Sequence, residues 1–119
     1  MNFSEHEIQV SLVSWFRLQY PQYLMFANEN GAHLAGDSAR RSATMARMKN
    51  SGHVNGVADL FLMLPKNGKA GLFIEMKSKN GKVSDAQKDF IKMAQDAGYQ
   101  AEICYGFEQA QALIKNYLK

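Results

Sequence analysis

Three side chains in this sequence have the types and spacing to do chemistry together: Asp59, Glu75 and Lys77. Asp59 opens one short apolar run, residues 60–64, and Glu75 and Lys77 follow another, residues 72–74. Between the runs lies Pro65-Lys-Asn-Gly-Lys-Ala70, whose proline and nearby glycines mark a turn. Two antiparallel strands joined there put Leu64 near Leu72, and the start of the first strand beside the end of the second. Side chains alternate with period two, so Glu75 and Lys77 share a face, as do Asp59 and Phe61. Asp59 then falls opposite or diagonal to Glu75 and Lys77. Carboxylates are natural ligands for Mg²⁺ or Mn²⁺, and the Met76 carbonyl would point the same way. A lysine beside them can orient or deprotonate an attacking water and neutralise a phosphate, so the set has the parts of a metal-dependent hydrolytic site. The same residues also make an exposed cross-strand ion pair of Asp59 with Lys77, worth only about 0–1 kcal/mol. Glu-x-Lys alone favours the ion pair; with Asp59 at the matching place the two readings are balanced.

The elements that must position these groups follow from periodicity and caps. Residues 5–20 carry Ile8, Leu12 and Trp15 at helical spacing, with Val13 and Phe16 offset, Ser4 as N-cap and Pro21 at the end. Glu5 and Glu7 sit in the first turn, where the helix dipole favours acids. Residues 23–28 read as a short strand, followed by the turn signal Glu29-Asn30-Gly31. Residues 35–50 are helix-tolerant, capped by Asp37 or Ser38, with a weak apolar side of alanines, Met45 and Met48. Residues 51–56 are a loop leading to the Asp59 strand, and 78–83 are a polar loop after the hairpin. Ser84-Asp-Ala-Gln87 has the capping-box pattern, and Phe90, Ile91, Met93 and Ala94 supply a buried side. Gly98 stops that helix, 99–105 alternate as a strand, and Ala110, Leu113, Ile114 and Tyr117 give a last amphipathic helix. The order is α-β-α-β-β-α-β-α. The helix between the third and fourth strands allows a parallel crossover, so the fold class is α/β, a mixed sheet flanked by helices.

The 119 residues suit a single domain, 1–119, and the 46% apolar and 21% charged content is that of a globular protein. A net charge of +3 and a pI near 9.0 permit an anionic partner. No acidic residue falls between Asp37 and Asp59, while Arg40, Arg41, Arg47 and Lys49 do. With Lys79 and Lys82 they suit phosphate contact, and equally an ordinary solvated helix. One cysteine, Cys104, excludes an intrachain disulfide and fits a reducing compartment. No run approaches the ~20 apolar residues of a membrane span, and the N-terminus lacks a secretory pattern, so a cytoplasmic location is expected. His6, His33 and His53 are scattered and make no zinc pattern. Met25, Met45, Met48, Met63, Met76 and Met93 are read as packing residues, and Trp15 as core rather than base-stacking.

In combination, Glu5-His-Glu-Ile-Gln9, Asn30-Gly31, Gly56-Val-Ala-Asp59-Leu, Ile74-Glu-Met-Lys77 and Ser84-Asp-Ala-Gln87 resemble the virus-type replication-repair nuclease (VRR-NUC) domain of the PD-(D/E)XK superfamily. The resemblance covers essentially the whole chain. One departure is Ala58, where the family often has proline; that residue shapes backbone and is not a ligand. The resemblance implies a restriction-endonuclease-like sheet, Asp59 and Glu75 as metal ligands, and Lys77 as the catalytic lysine. Glu5 rather than Glu7 would be the helix-borne acid, because it lies four residues before Gln9. Gln87 would reach the site from the following helix; as partner to Ser84 in a cap it would be occupied, and one side chain is not expected to do both. The implied cofactor is Mg²⁺ or Mn²⁺. The implied substrate is branched DNA, such as four-way junctions or flaps, and symmetric cutting would require a homodimer. The 35–50 segment and the last helix are the candidate interfaces. Two alternatives stand beside this: a catalytically silent DNA-binding module of the same fold, and a restriction-like endonuclease with sequence preference.

Overall fold

The hairpin forms, and the sheet grows from it. In a computed structural model, which describes residues 3–28 and 37–119, β2 (Leu60–Leu62) and β3 (Leu72–Lys77) run antiparallel. The turn expected at Glu29-Asn30-Gly31, the start of the 35–50 segment and His33 lie outside the described residues. Leu72 pairs with Leu62, two residues earlier than the Leu64 expected from the turn. The chain leaves the ladder early because the Leu64 carbonyl accepts from the Tyr117 hydroxyl, and Lys66 and Lys69 bridge each other around a tight turn. Asn67 and Gly68 sit there at φ 53 and 79, left-handed backbone that Asn-Gly tolerates and a two-residue turn requires. At its other end β2 begins at Leu60, so Asp59 stands just before the strand it was expected to open.

β1 (Met25–Ala27) pairs antiparallel with β2, and β4 (Gln100–Tyr105) pairs parallel with β3, giving the order β1-β2-β3-β4. The parallel pair is made possible by α3 (Asp85–Asp96), which crosses over one face. The opposite face is covered by α1 (Glu5–Gln19) and α4 (Phe107–Tyr117). Ile8, Leu12 and Phe16 of α1 and Ala110, Ile114 and Tyr117 of α4 enclose Leu60, Leu62, Leu72, Ile74 and Met76. Each large apolar side chain so buried contributes about 1.5–3 kcal/mol. Trp15 packs edge-on against Tyr20 and Phe107, a core role as expected.

The α3 face is aromatic: Phe61 and Phe73 lie with ring centroids 4.4 Å apart, and Phe90 and Tyr99 meet Phe73 edge-on. Four methionines expected to pack are not in the core: Met45 and Met48 are half-buried, and Met63 and Met93 are exposed. Met93 is 70% exposed at the rim of a groove between α3 and residues 54–57, and Met63 is 55% exposed, past the end of β2. α2 (Ser38–Asn50) is capped by Asp37, whose carboxylate accepts from the Arg40 amide, and carries no buried residue. No helix among the described residues is long and apolar enough to cross a membrane.

Candidate active site

Parallel β3 and β4 end together, at Lys77 and Tyr105, and the candidate site lies where the end of β3 meets the start of β2. Asp59 reaches across from the residue before β2: its Oδ2 accepts the Met76 amide at 2.8 Å. Its own carbonyl accepts from the Asn28 amide, which ties the other edge of the chain to β1. A residue in an extended strand sends its N–H and C=O to the same edge, so the Met76 carbonyl faces the Asp59 side too.

The loop before Asp59 is held by glycine. Gly56 has φ 84 and packs on the first turn of α3 so closely that a Cβ there would lie 2.4 Å from the Ala86 carbonyl. Only glycine permits both the backbone and the approach. The contact brings the loop before Asp59 onto the turn of α3 that carries Gln87.

Gln87 performs both of its expected roles at once, although one side chain is not expected to do both. Its Oε1 accepts the Ser84 amide at 2.9 Å, completing the capping box, while its Nε2 donates to Glu75 Oε2 at 2.9 Å. An amide carries an acceptor and a donor at one end, and α3 starts close enough to β3 for each to find its partner.

Glu75 is 2% exposed and Lys77 7%. The ammonium lies 3.7 Å from Glu75 Oε2 and 4.0 Å from Glu5 Oε1. Glu5, in the first turn of α1, is thus the helix-borne acid the fold brings to the lysine. Glu7 is engaged elsewhere, accepting the Ser4 amide at 3.1 Å in a second capping box. That box was legible as Ser-x-x-Glu, a pattern that dipole reasoning alone passes over.

The electrostatics are unbalanced. The Glu75 carboxyl is pushed up to about 8, first by burial and then by the negative charge of Asp59, with Lys77 pulling the other way. Its Oε1 is buried and has no hydrogen-bond partner among the described residues. A buried carboxylate oxygen without a donor, beside a second carboxylate, is a place a hard divalent cation satisfies. Asp59, Glu75 and the Met76 carbonyl could hold one. Among the described residues no three acidic, histidine or cysteine side chains converge as a complete metal cage. Glu5 touches the set through Lys77. The neighbouring thiol, Cys104, is buried and pushed up to about 12, which leaves it inert.

The basic residues divide. Lys79 stands two positions beyond Lys77 and is exposed at the edge of the site. Arg40, Arg41, Arg47 and Lys49 ride on α2, and no ion pair among the described residues joins them to the carboxylates.

A mixed sheet with a carboxylate pair and a lysine at the end of its central strand is the arrangement of PD-(D/E)XK-type nucleases. The VRR-NUC domain family model matches residues 3–108, and the chain belongs to that family, which implies nuclease activity of this type. A solved structure described as a VRR_NUC domain protein has the same fold, with a TM-score of 0.83 and 23% identity over 99% of this chain and 90% of that one. Among curated proteins none matches the chain.

Proposed function

We propose that this chain is a Mg²⁺- or Mn²⁺-dependent DNA endonuclease selective for structure, cutting phosphodiesters in branched DNA such as four-way junctions or flaps. The observation that carries the reading is Glu75: buried, beside Asp59 and Lys77, with one carboxylate oxygen unsatisfied. A divalent ion, when bound, would neutralise the paired carboxylates, hold the scissile phosphate and offset charge in the transition state. The rest is work for this chain's side chains. Asp59 is aimed by the Met76 amide and Glu75 by the Gln87 amide, so both oxygen donors are fixed before substrate arrives. Lys77, steadied between Glu75 and Glu5, would donate to the attacking water to orient it and help neutralise the phosphate, and Glu5 would keep the ammonium placed. Lys79 and the basic residues of α2, Arg40, Arg41, Arg47 and Lys49, would hold flanking phosphates, adding affinity without sequence preference. Symmetric cutting of a four-way junction needs two such sites on a two-fold axis, so a homodimer goes with this substrate.

The test is nicking of duplex, flap and four-way-junction DNA with Mg²⁺, Mn²⁺ or EDTA, for the wild type and Lys77→Ala. Metal-dependent product on branched DNA that vanishes in the variant, with binding retained, is expected. Cleavage unchanged in Lys77→Ala overturns the role of Lys77. Binding without cleavage in the wild type leaves a DNA-binding module, and discrete products from random duplex indicate a sequence-reading enzyme.

A further inference from the structure

A cavity of about 490 Å³ opens beside the candidate site, between the start of α1, the β3–α3 loop and the start of α4. It is continuous with the chemistry: Ser78, which follows Lys77, forms part of its wall, and the wall residue Gly106 donates its amide to the Lys77 carbonyl at 3.0 Å. Its apolar surface comes from Ile8, from Phe107, packed on Trp15, and from Phe3, which is 55% exposed. The charged groups on the rim are two carboxylates, Glu7 and Glu108, and one ammonium, Lys79. That balance repels phosphate from the interior. It suits a flat, uncharged group with amino hydrogens to donate, attached to a single phosphate near Lys79. We propose that this cavity receives an unpaired nucleobase of the DNA substrate next to the phosphate held at Asp59, Glu75 and Lys77. The proposal rests on the nuclease reading and deepens it, because only DNA with unpaired or unstacked bases can fill such a pocket without first breaking a pair. Phe3 offers the face on which the base stacks, Glu108 offers acceptor oxygens for an exocyclic amino group, and Lys79 pairs with its phosphate.

The experiment measures binding of flap DNA in EDTA, with 2-aminopurine at each unpaired position in turn. The expected result is a several-fold fluorescence change at one position on binding wild-type protein. In Phe3→Ala, affinity falls by about tenfold, the scale of one lost base–aromatic stack. Ser11→Trp, which fills the cavity from α1 and alters neither Asp59 nor Glu75, should abolish the fluorescence change while leaving the far-ultraviolet circular dichroism spectrum intact. An abasic site at the reporting position should weaken wild-type binding and leave Ser11→Trp binding unaffected. Tight binding with no fluorescence change at any position overturns the pocket and leaves the nuclease reading standing. Absence of any DNA binding overturns both.

Discussion

The two capping boxes of this protein are built alike and end differently. At α1, Ser4 and Glu7 satisfy each other's amides at 3.1 Å. At α3, Ser84 and Gln87 do the same at 2.9 and 3.1 Å. A carboxylate at the third position has only acceptors, so Glu7 stops at the cap. An amide has a donor left over, and Gln87 spends it on Glu75. The difference of one atom, oxygen against N–H, makes one cap purely structural and turns the other into a support for the candidate site. Local helix chemistry and site chemistry are thus joined at α3 and separate at α1, where Glu5, not the cap residue, faces Lys77.

The comparison breaks most sharply in Gln87→Glu. The box survives, because Glu caps as well as Gln, but the donor to Glu75 is replaced by a third carboxylate. Cleavage and metal affinity are expected to fall about 10–100-fold, the usual cost of losing a partner that orients a ligand, with the helix content by circular dichroism unchanged. Wild-type cleavage in this variant would show that the Gln87–Glu75 bond is incidental.

Removing the hydroxyls separates the two caps. Ser84→Ala and Ser4→Ala should each cost about 1 kcal/mol in urea unfolding, since each loses one N-cap acceptor. Only Ser84→Ala should also weaken Mn²⁺ binding, through looser placement of Gln87. Equal effects on metal binding would mean that α1 supports the site as directly as α3 does.

Glu7→Gln should change least. The amide keeps an acceptor for the Ser4 N–H, and the residue faces away from the lysine, so stability and cleavage are expected to stay at wild-type levels. A large loss of cleavage would make Glu7 the helix-borne acid and displace Glu5.

Much of this was written in the sequence, and where it was not, the reason is physical. Asp59, Glu75 and Lys77 were placed by a rule that tolerates error: a register two residues off keeps every side chain on its face, so reading Leu64 for Leu62 left the site intact. The register itself was fixed by Tyr117, 53 residues beyond Leu64, which no local pattern reveals. The double duty of Gln87 depended on how near α3 lies to β3, and that distance is set by Gly56 against Ala86. The exposure of Met63 and Met93 escaped prediction because hydrophobicity says what a residue tolerates, not whether another element covers it. The cavity at Phe3 and Phe107 joins residues from opposite ends of the chain, so spacing gave no hint of it.

In the proposed site Glu75 and Asp59 would hold a cation, and the charge of the pair would be unbalanced until it arrives. Burial and the charge of Asp59 push the Glu75 carboxyl up to about 8, so a divalent ion arriving near neutral pH would displace a proton there. Calorimetric titration with Mn²⁺ at pH 7, in two buffers of different ionisation enthalpy, measures the proton directly. The account predicts release of about one proton per ion bound by the wild type, and loss of both binding and release in Glu75→Gln. Binding heat that does not depend on the buffer, or Mn²⁺ affinity unchanged in Glu75→Gln, would contradict it.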